Sequence, residues 1–150
     1  MHFSSRTEYG VKAMLDLALH YGEGPVPLRA IAGRQSVSEH YLEQLMGALR
    51  KAGLVASARG AQGGYELARE PGSITVGDVV RALEGPIAPL PCVEEDGRAH
   101  CDEIARCVAR TVWVRLRSSM EEVLDSTTFA DLCQKALQQR NTGDSFMYYI

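Results

Sequence analysis

The sequence predicts a mainly α protein with a small β wing, a winged helix-turn-helix followed by a long C-terminal helix, and three observations predict it. Apolar residues recur at helical spacing in several separate segments. Two short strand-like runs, VASAR (55–59) and YELAR (65–69), flank GAQGG. The order helix, helix, helix, hairpin is that of a winged helix. A chain of 150 residues with 45% apolar side chains supports one domain with a real core and needs no disulfide to fold.

EYGVKAMLDLALHY (8–21) carries apolar groups on nearly every face, which predicts a helix covered on more than one side, ended by Gly22 and Gly24. In LRAIAGRQ, Leu28, Ile31 and Ala32 fall at i, i+3, i+4 just after Pro25 and Pro27, a short second helix. Ser36 or Ser38 can cap the third, SEHYLEQLMGALRKAGL, in which Leu42, Leu45, Met46 and Leu49 form the apolar stripe and Gly53 the stop. TVGDVVRALE (75–84) predicts a fourth helix, with Thr75 and Asp78 spaced as a capping box. GPIAPLPC then reads as a loop delivering Cys92. Ile104, Val108, Val112, Leu116, Met120 and Val123 form a stripe on a helix of about 20 residues, roughly 30 Å long. Such a helix needs a partner chain to cover it, so a homodimer is expected. The divisions are 1–86 for the winged helix, 87–103 for the cysteine loop, 104–140 for the dimerisation and C-terminal helices, and 141–150 for a tail.

Net charge is -3, but residues 29–69 carry six basic side chains against three acids, while acids gather near the cysteines. A basic middle containing a helix-turn-helix points to double-stranded DNA, because the second helix of that motif fits the major groove, about 12 Å wide. Ser38, His40, Glu43 and Gln44 lie in its first turns, Lys51 at its end, and Arg59 and Gly60 at the hairpin. Gln pairs with adenine and Glu accepts from cytosine N4. The same residues also suit a plain solvated face. No CxxC pair, HExxH, GxSxG or P-loop is present, so an enzyme is not expected. The start MHFSSRTEYG lacks a basic region followed by an apolar run, and Lys12, Asp16 and His20 interrupt the apolar stretches. A soluble cytoplasmic protein without a membrane partner is expected, with its thiols reduced.

Cys92, Cys101 and Cys107 are spaced C-x8-C-x5-C. Clustered cytosolic thiols suit an iron-sulfur cluster, zinc or a redox switch, and the spacing alone leaves these open, together with structurally silent cysteines. Cys133, in ADLCQKAL, reads as a small buried hydrophobe.

The blocks YGVKAMLDLALHYGEGPVPLRAIA, VSEHYLEQLMGALRKAGLV and SARGAQGGYELAR resemble the iron-sulfur-cluster winged-helix regulators of the IscR, NsrR and RirA type. The resemblance continues through the three cysteines and VWVRLR, leaving only the tail uncovered. It implies a homodimeric, cytoplasmic transcription factor that binds an inverted-repeat operator and senses iron, redox or nitric oxide status. Ser38, Glu43 and Gln44 fall on the family's recognition helix, and Arg59 and Gly60 on its wing. Cys92, Cys101 and Cys107 would hold a [2Fe-2S] or [4Fe-4S] cluster.

Two departures matter. The first cysteine gap is longer than in the family's shorter versions, and Arg110 stands where some members carry a histidine ligand. An Arg cannot ligate iron. Other members take a carboxylate from the partner's first helix, which points to Glu8 of the partner subunit as fourth ligand, with His100 the alternative. The competing expectation is a cluster-free winged-helix regulator that switches through cysteine oxidation or a small-molecule effector.

Overall fold

In the computed structural model, which describes residues 2–94 and 105–142, six α-helices surround a two-stranded antiparallel hairpin. The helices are α1 (Ser5–Leu19), α2 (Leu28–Gln35), α3 (Glu39–Lys51), α4 (Val76–Glu84), α5 (Arg110–Ser126) and α6 (Phe129–Asn141). The strands are β1 (Val55–Ala58) and β2 (Gly64–Leu67), paired from Val55↔Leu67 to Ala58↔Gly64. The mainly α architecture with a β wing is as the sequence predicts.

α1 buries residues on several sides, Gly10, Ala13, Met14, Asp16, Leu17 and Ala18 among them, as its apolar faces require. It starts three residues before the expected position, because Ser4 and Thr7 have a partner there. Glu84 Oε1, at the end of α4, accepts from the Ser4 N–H at 2.8 Å, the Thr7 hydroxyl at 2.8 Å and the Ser4 hydroxyl. Asp16 is 6% exposed and is held by Arg34 of α2 through two bonds of 2.7 Å. His20 Nδ1 lies 2.8 Å from the Asp16 carbonyl oxygen and 3.4 Å from its carboxylate. This cluster fixes α2 against α1.

The stripe of α3 is fully inside, with Leu42, Met46 and Leu49 at 0% and Leu45 at 1% exposure. Each such side chain contributes about 1.5–3 kcal/mol of burial. The capping box of α4 forms as expected: Thr75 Oγ1 accepts the Asp78 N–H at 3.1 Å and Asp78 Oδ2 accepts the Thr75 N–H at 2.9 Å. A second box, Thr128 with Asp131, opens α6.

The wing is anchored from a place that local patterning misses. Val26, between α1 and α2, exchanges backbone bonds with Tyr65 at 2.8 and 2.9 Å. β1 starts where VASAR does but ends one residue sooner, leaving Arg59 beyond it, and β2 begins one residue before YELAR and ends two residues sooner.

α5 begins at Arg110 rather than near Ile104, because the preceding turn is bonded only locally, Thr111 N–H and Val112 N–H to the carbonyls of Val108 and Ala109. Its C-terminal end is fastened to the winged helix. Arg81 of α4 grips Asp125 with bonds of 2.7 and 2.8 Å. Gly77 permits this approach, since a Cβ there would collide with the Asp125 carboxylate. Phe129, 0% exposed, then enters the same core as α1 and α3. No described helix is long and apolar enough to cross a membrane.

Candidate functional site

α3 separates two chemistries by face. With Leu42, Leu45, Met46 and Leu49 turned inward, His40, Glu43, Gln44 and Lys51 are exposed. Of the two serines that could cap this helix, Ser38 does: its Oγ accepts the Tyr41 N–H at 3.1 Å. Its oxygen therefore serves the helix, leaving the hydroxyl hydrogen to donate outward. Gln44 Nε2 lies 3.3 Å from His40 Nε2, so the two share the face one turn apart. Ser36 instead ends α2 in the left-handed region at φ 55°.

The wing extends this surface. Arg50 Nη1 donates to Ser57 Oγ at 3.3 Å, tying the end of α3 to β1. Arg59 and Gly60 are exposed beyond β1, and Gly60 at φ 106° turns the chain where a side chain would be strained. The surface thus carries Lys51, Arg59 and the polar first turns of α3, a combination that can meet phosphates at its edge and base edges at its centre.

The first turn of α1 touches the first turn of α3. Tyr9 and Tyr41 meet edge to face with centroids 6.1 Å apart at 90°, and Ser5 Oγ lies 3.3 Å from Tyr41 Oη. Glu8, beside Tyr9, has a side chain 60% exposed and pairs with Lys12 at 3.1 Å. An exposed i,i+4 pair of this kind contributes about 0.3–0.5 kcal/mol, so little opposes release of the carboxylate.

Among the described cysteines, Cys92, Cys107 and Cys133 are free thiols. Cys92 is half-buried in a single 3₁₀ turn, Pro91–Val93, whose Val93 is 2% exposed. Cys107 is exposed just ahead of α5. Two arginines of α5 reach back to the first of these segments: Arg110 Nε donates to the Cys92 carbonyl at 3.4 Å and Arg117 Nη1 to the Val93 carbonyl. Arg117 Nε also pairs with Glu121 at 2.8 Å. The sequence carries no local signal for either carbonyl contact, since donor and acceptor lie 18 and 24 residues apart.

Cys101 and His100 lie outside the described residues. Among the described residues no three His, Cys, Asp or Glu side chains stand together as a metal site. The donor chemistry fits an iron-sulfur group at Cys92 and Cys107, which offer soft, free thiols, one half-buried and one exposed. Cys133, read from the sequence as a small buried hydrophobe, is partly buried and packs against the core. It is half-buried at the edge of the core, where burial pushes its thiol pKa up and keeps it protonated.

Residues 3–135 match a family model described as Rrf2, iron-dependent transcriptional regulator. The chain belongs to the Rrf2 family of transcriptional regulators. Within that family it is 45% identical over 150 residues, all of both chains, to the HTH-type transcriptional regulator CymR of Bacillus subtilis. It is also 45% identical to IscR of Aliivibrio salmonicida over 132 residues, 88% of this chain and 77% of that protein. The solved CymR of B. subtilis, described as a global cysteine regulator, superposes with a TM-score of 0.76 at 47% identity, covering 90% of this chain and 98% of that one. IscR of T. potens superposes at 0.74 with 51% identity, covering 91% and 88%. The Rrf2 relatives are DNA-binding regulators rather than enzymes, in agreement with the helix-turn-helix reading.

Proposed function

We propose that this Rrf2 protein is a cytoplasmic homodimer that binds an inverted-repeat operator under the control of an iron-sulfur cluster held by Cys92, Cys101 and Cys107. The observation that carries the cluster reading is the pair of free thiols, Cys92 half-buried and Cys107 exposed, the first held to the helix that follows the second. The family description as an iron-dependent regulator and the likeness to IscR proteins support it. Gln44, Glu43, His40 and Ser38 read bases from the first turns of α3, while Lys51, Arg59 and Gly60 position the protein on the backbone. The dimer is supported by the apolar side chains that α5 leaves exposed in one chain, Val112 at 54%, Leu116 at 40% and Val123 at 64%.

A bound cluster would supply an oxidant-sensitive and iron-dependent tie among the thiolates. Glu8 of the partner subunit offers the fourth ligand, and His100 is its rival. The link to DNA runs through α1, where Glu8 is followed by Tyr9 against Tyr41 of α3. A displacement of the first turn of α1 is therefore felt at the start of the recognition helix.

The full-length likeness to a cysteine regulator favours a second reading, a cluster-free regulator governed by thiol oxidation or a small effector. Operator binding of anaerobically reconstituted and cluster-stripped protein separates the two. The proposal expects different affinities, and a difference that shrinks in Glu8→Ala. Equal affinities, unaffected by Glu8→Ala, contradict cluster control.

A further inference from the structure

We infer that Arg110 and Arg117 are positioning residues that hold the carbonyls of Cys92 and Val93 against α5, so that the segment bearing the first cysteine lies against the helix that follows the third. The inference rests on the cluster reading for its purpose, while the clamp itself rests on the two hydrogen bonds.

Arg110 and Arg117 are seven residues apart, two helical turns, and so project from the same face of α5. Their acceptors are consecutive in the chain, Cys92 at 3.4 Å and Val93, which is only 2% exposed. A guanidinium has five donors, no acceptor and a permanent charge. It can therefore hold a carbonyl without competing for a metal. Arg117 Nε pairs with Glu121 at 2.8 Å while its Nη1 reaches the carbonyl, so the two contacts use separate nitrogens.

Cys107 lies three residues before Arg110, joined to α5 by the bonds of Thr111 and Val112 to Val108 and Ala109. The clamp thus ties the Cys92 segment to the helix that begins three residues after Cys107.

The test follows hydrogen exchange of the Val93 and Glu94 amides, bonded to Leu90 and Pro91, in cluster-free protein. Replacing both arginines by Gln should speed that exchange by about tenfold or more, as expected for loss of charged hydrogen bonds. Arg117→Lys should restore part of the protection. Arg115→Gln, on the same helix, and Glu121→Gln, which removes the ion pair but leaves the carbonyl donor, should change it far less. Cluster loss in air should be faster in the double variant than in the wild type. Exchange unchanged in the double variant, or Glu121→Gln as disruptive as Arg117→Gln, overturns the clamp. A colourless wild type with the exchange pattern intact would instead contradict the cluster reading and leave the clamp standing.

Discussion

Removing the Arg34 side chain is a stringent test of how the helix-turn-helix is held. Asp16 is 6% exposed, and both carboxylate oxygens receive 2.7 Å bonds from Arg34. The guanidinium responds to this neighbour with a pKa raised above its usual value, chiefly through the hydrogen bonds to Asp16. In Arg34→Ala the carboxylate stays behind with the His20 ring 3.4 Å away. Breaking a fully buried pair costs about 3–5 kcal/mol, and an exposed pair about 0.2–1 kcal/mol. The Arg34 side chain is 47% exposed, so water reaches the vacated site and the effect belongs between those limits. We expect a loss of about 2 kcal/mol, equivalent for a domain of this size to about 4–8 °C in Tm. Urea unfolding of wild type, Arg34→Ala, Asp16→Ala and the double variant gives the coupling directly. Coupling above roughly 1 kcal/mol is expected, with an unchanged m-value. Additive single losses, or an Arg34→Ala protein as stable as wild type, would refute the reasoning that this pair fastens α2 to α1.

Other consequences follow from the same geometry. Gln44→Ala should cost about 1–3 kcal/mol of operator affinity and relax base preference at one position per half-site, whereas Arg59→Ala should weaken all sequences alike and lower the salt slope by about one. Footprints and affinities that match wild type would remove both residues from the interface. Leu116→Glu places a charge in the proposed seam and should yield monomer or aggregate in sedimentation. A full dimer would move the seam elsewhere. Glu84, held by the Ser4 and Thr7 hydroxyls, has a carboxyl below its ordinary value of 4.5. A depressed pKa gives stability that is present above 4.5 and is lost as pH falls through the lower folded value, so Glu84→Gln should flatten the acid limb of the stability curve. An acid limb identical to wild type would mean the group does not contribute.

The parts legible in the sequence are those set by local periodicity and caps. The inward stripe of α3 and the Thr75–Asp78 box each depend on residues within a few positions of one another and occur where the spacing places them, while the cap of α3 falls on Ser38, one of the two serines the sequence offers. Boundaries were less legible where a distant group decides them. The start of α1 depends on Glu84, and the position of the wing on Val26. The exposed face of α3 follows from its stripe, so His40, Glu43, Gln44 and Lys51 were readable as one surface. The contacts of Arg110 and Arg117 with the cysteine segment were not. A carbonyl acceptor leaves no mark in composition or spacing, and an arginine at position 110 signals only that it is not a ligand.

The central claim is that Cys92, Cys101 and Cys107 hold an iron-sulfur cluster. The most direct measurement is iron and acid-labile sulfide content, with the visible spectrum, of full-length protein purified without oxygen, alongside single Cys→Ala variants. The account predicts a brown wild type with stoichiometric iron and sulfide, loss of both in each of the three variants, and retention in Cys133→Ala. Colourless, iron-free wild-type protein that still binds its operator would contradict it and favour the cluster-free regulator.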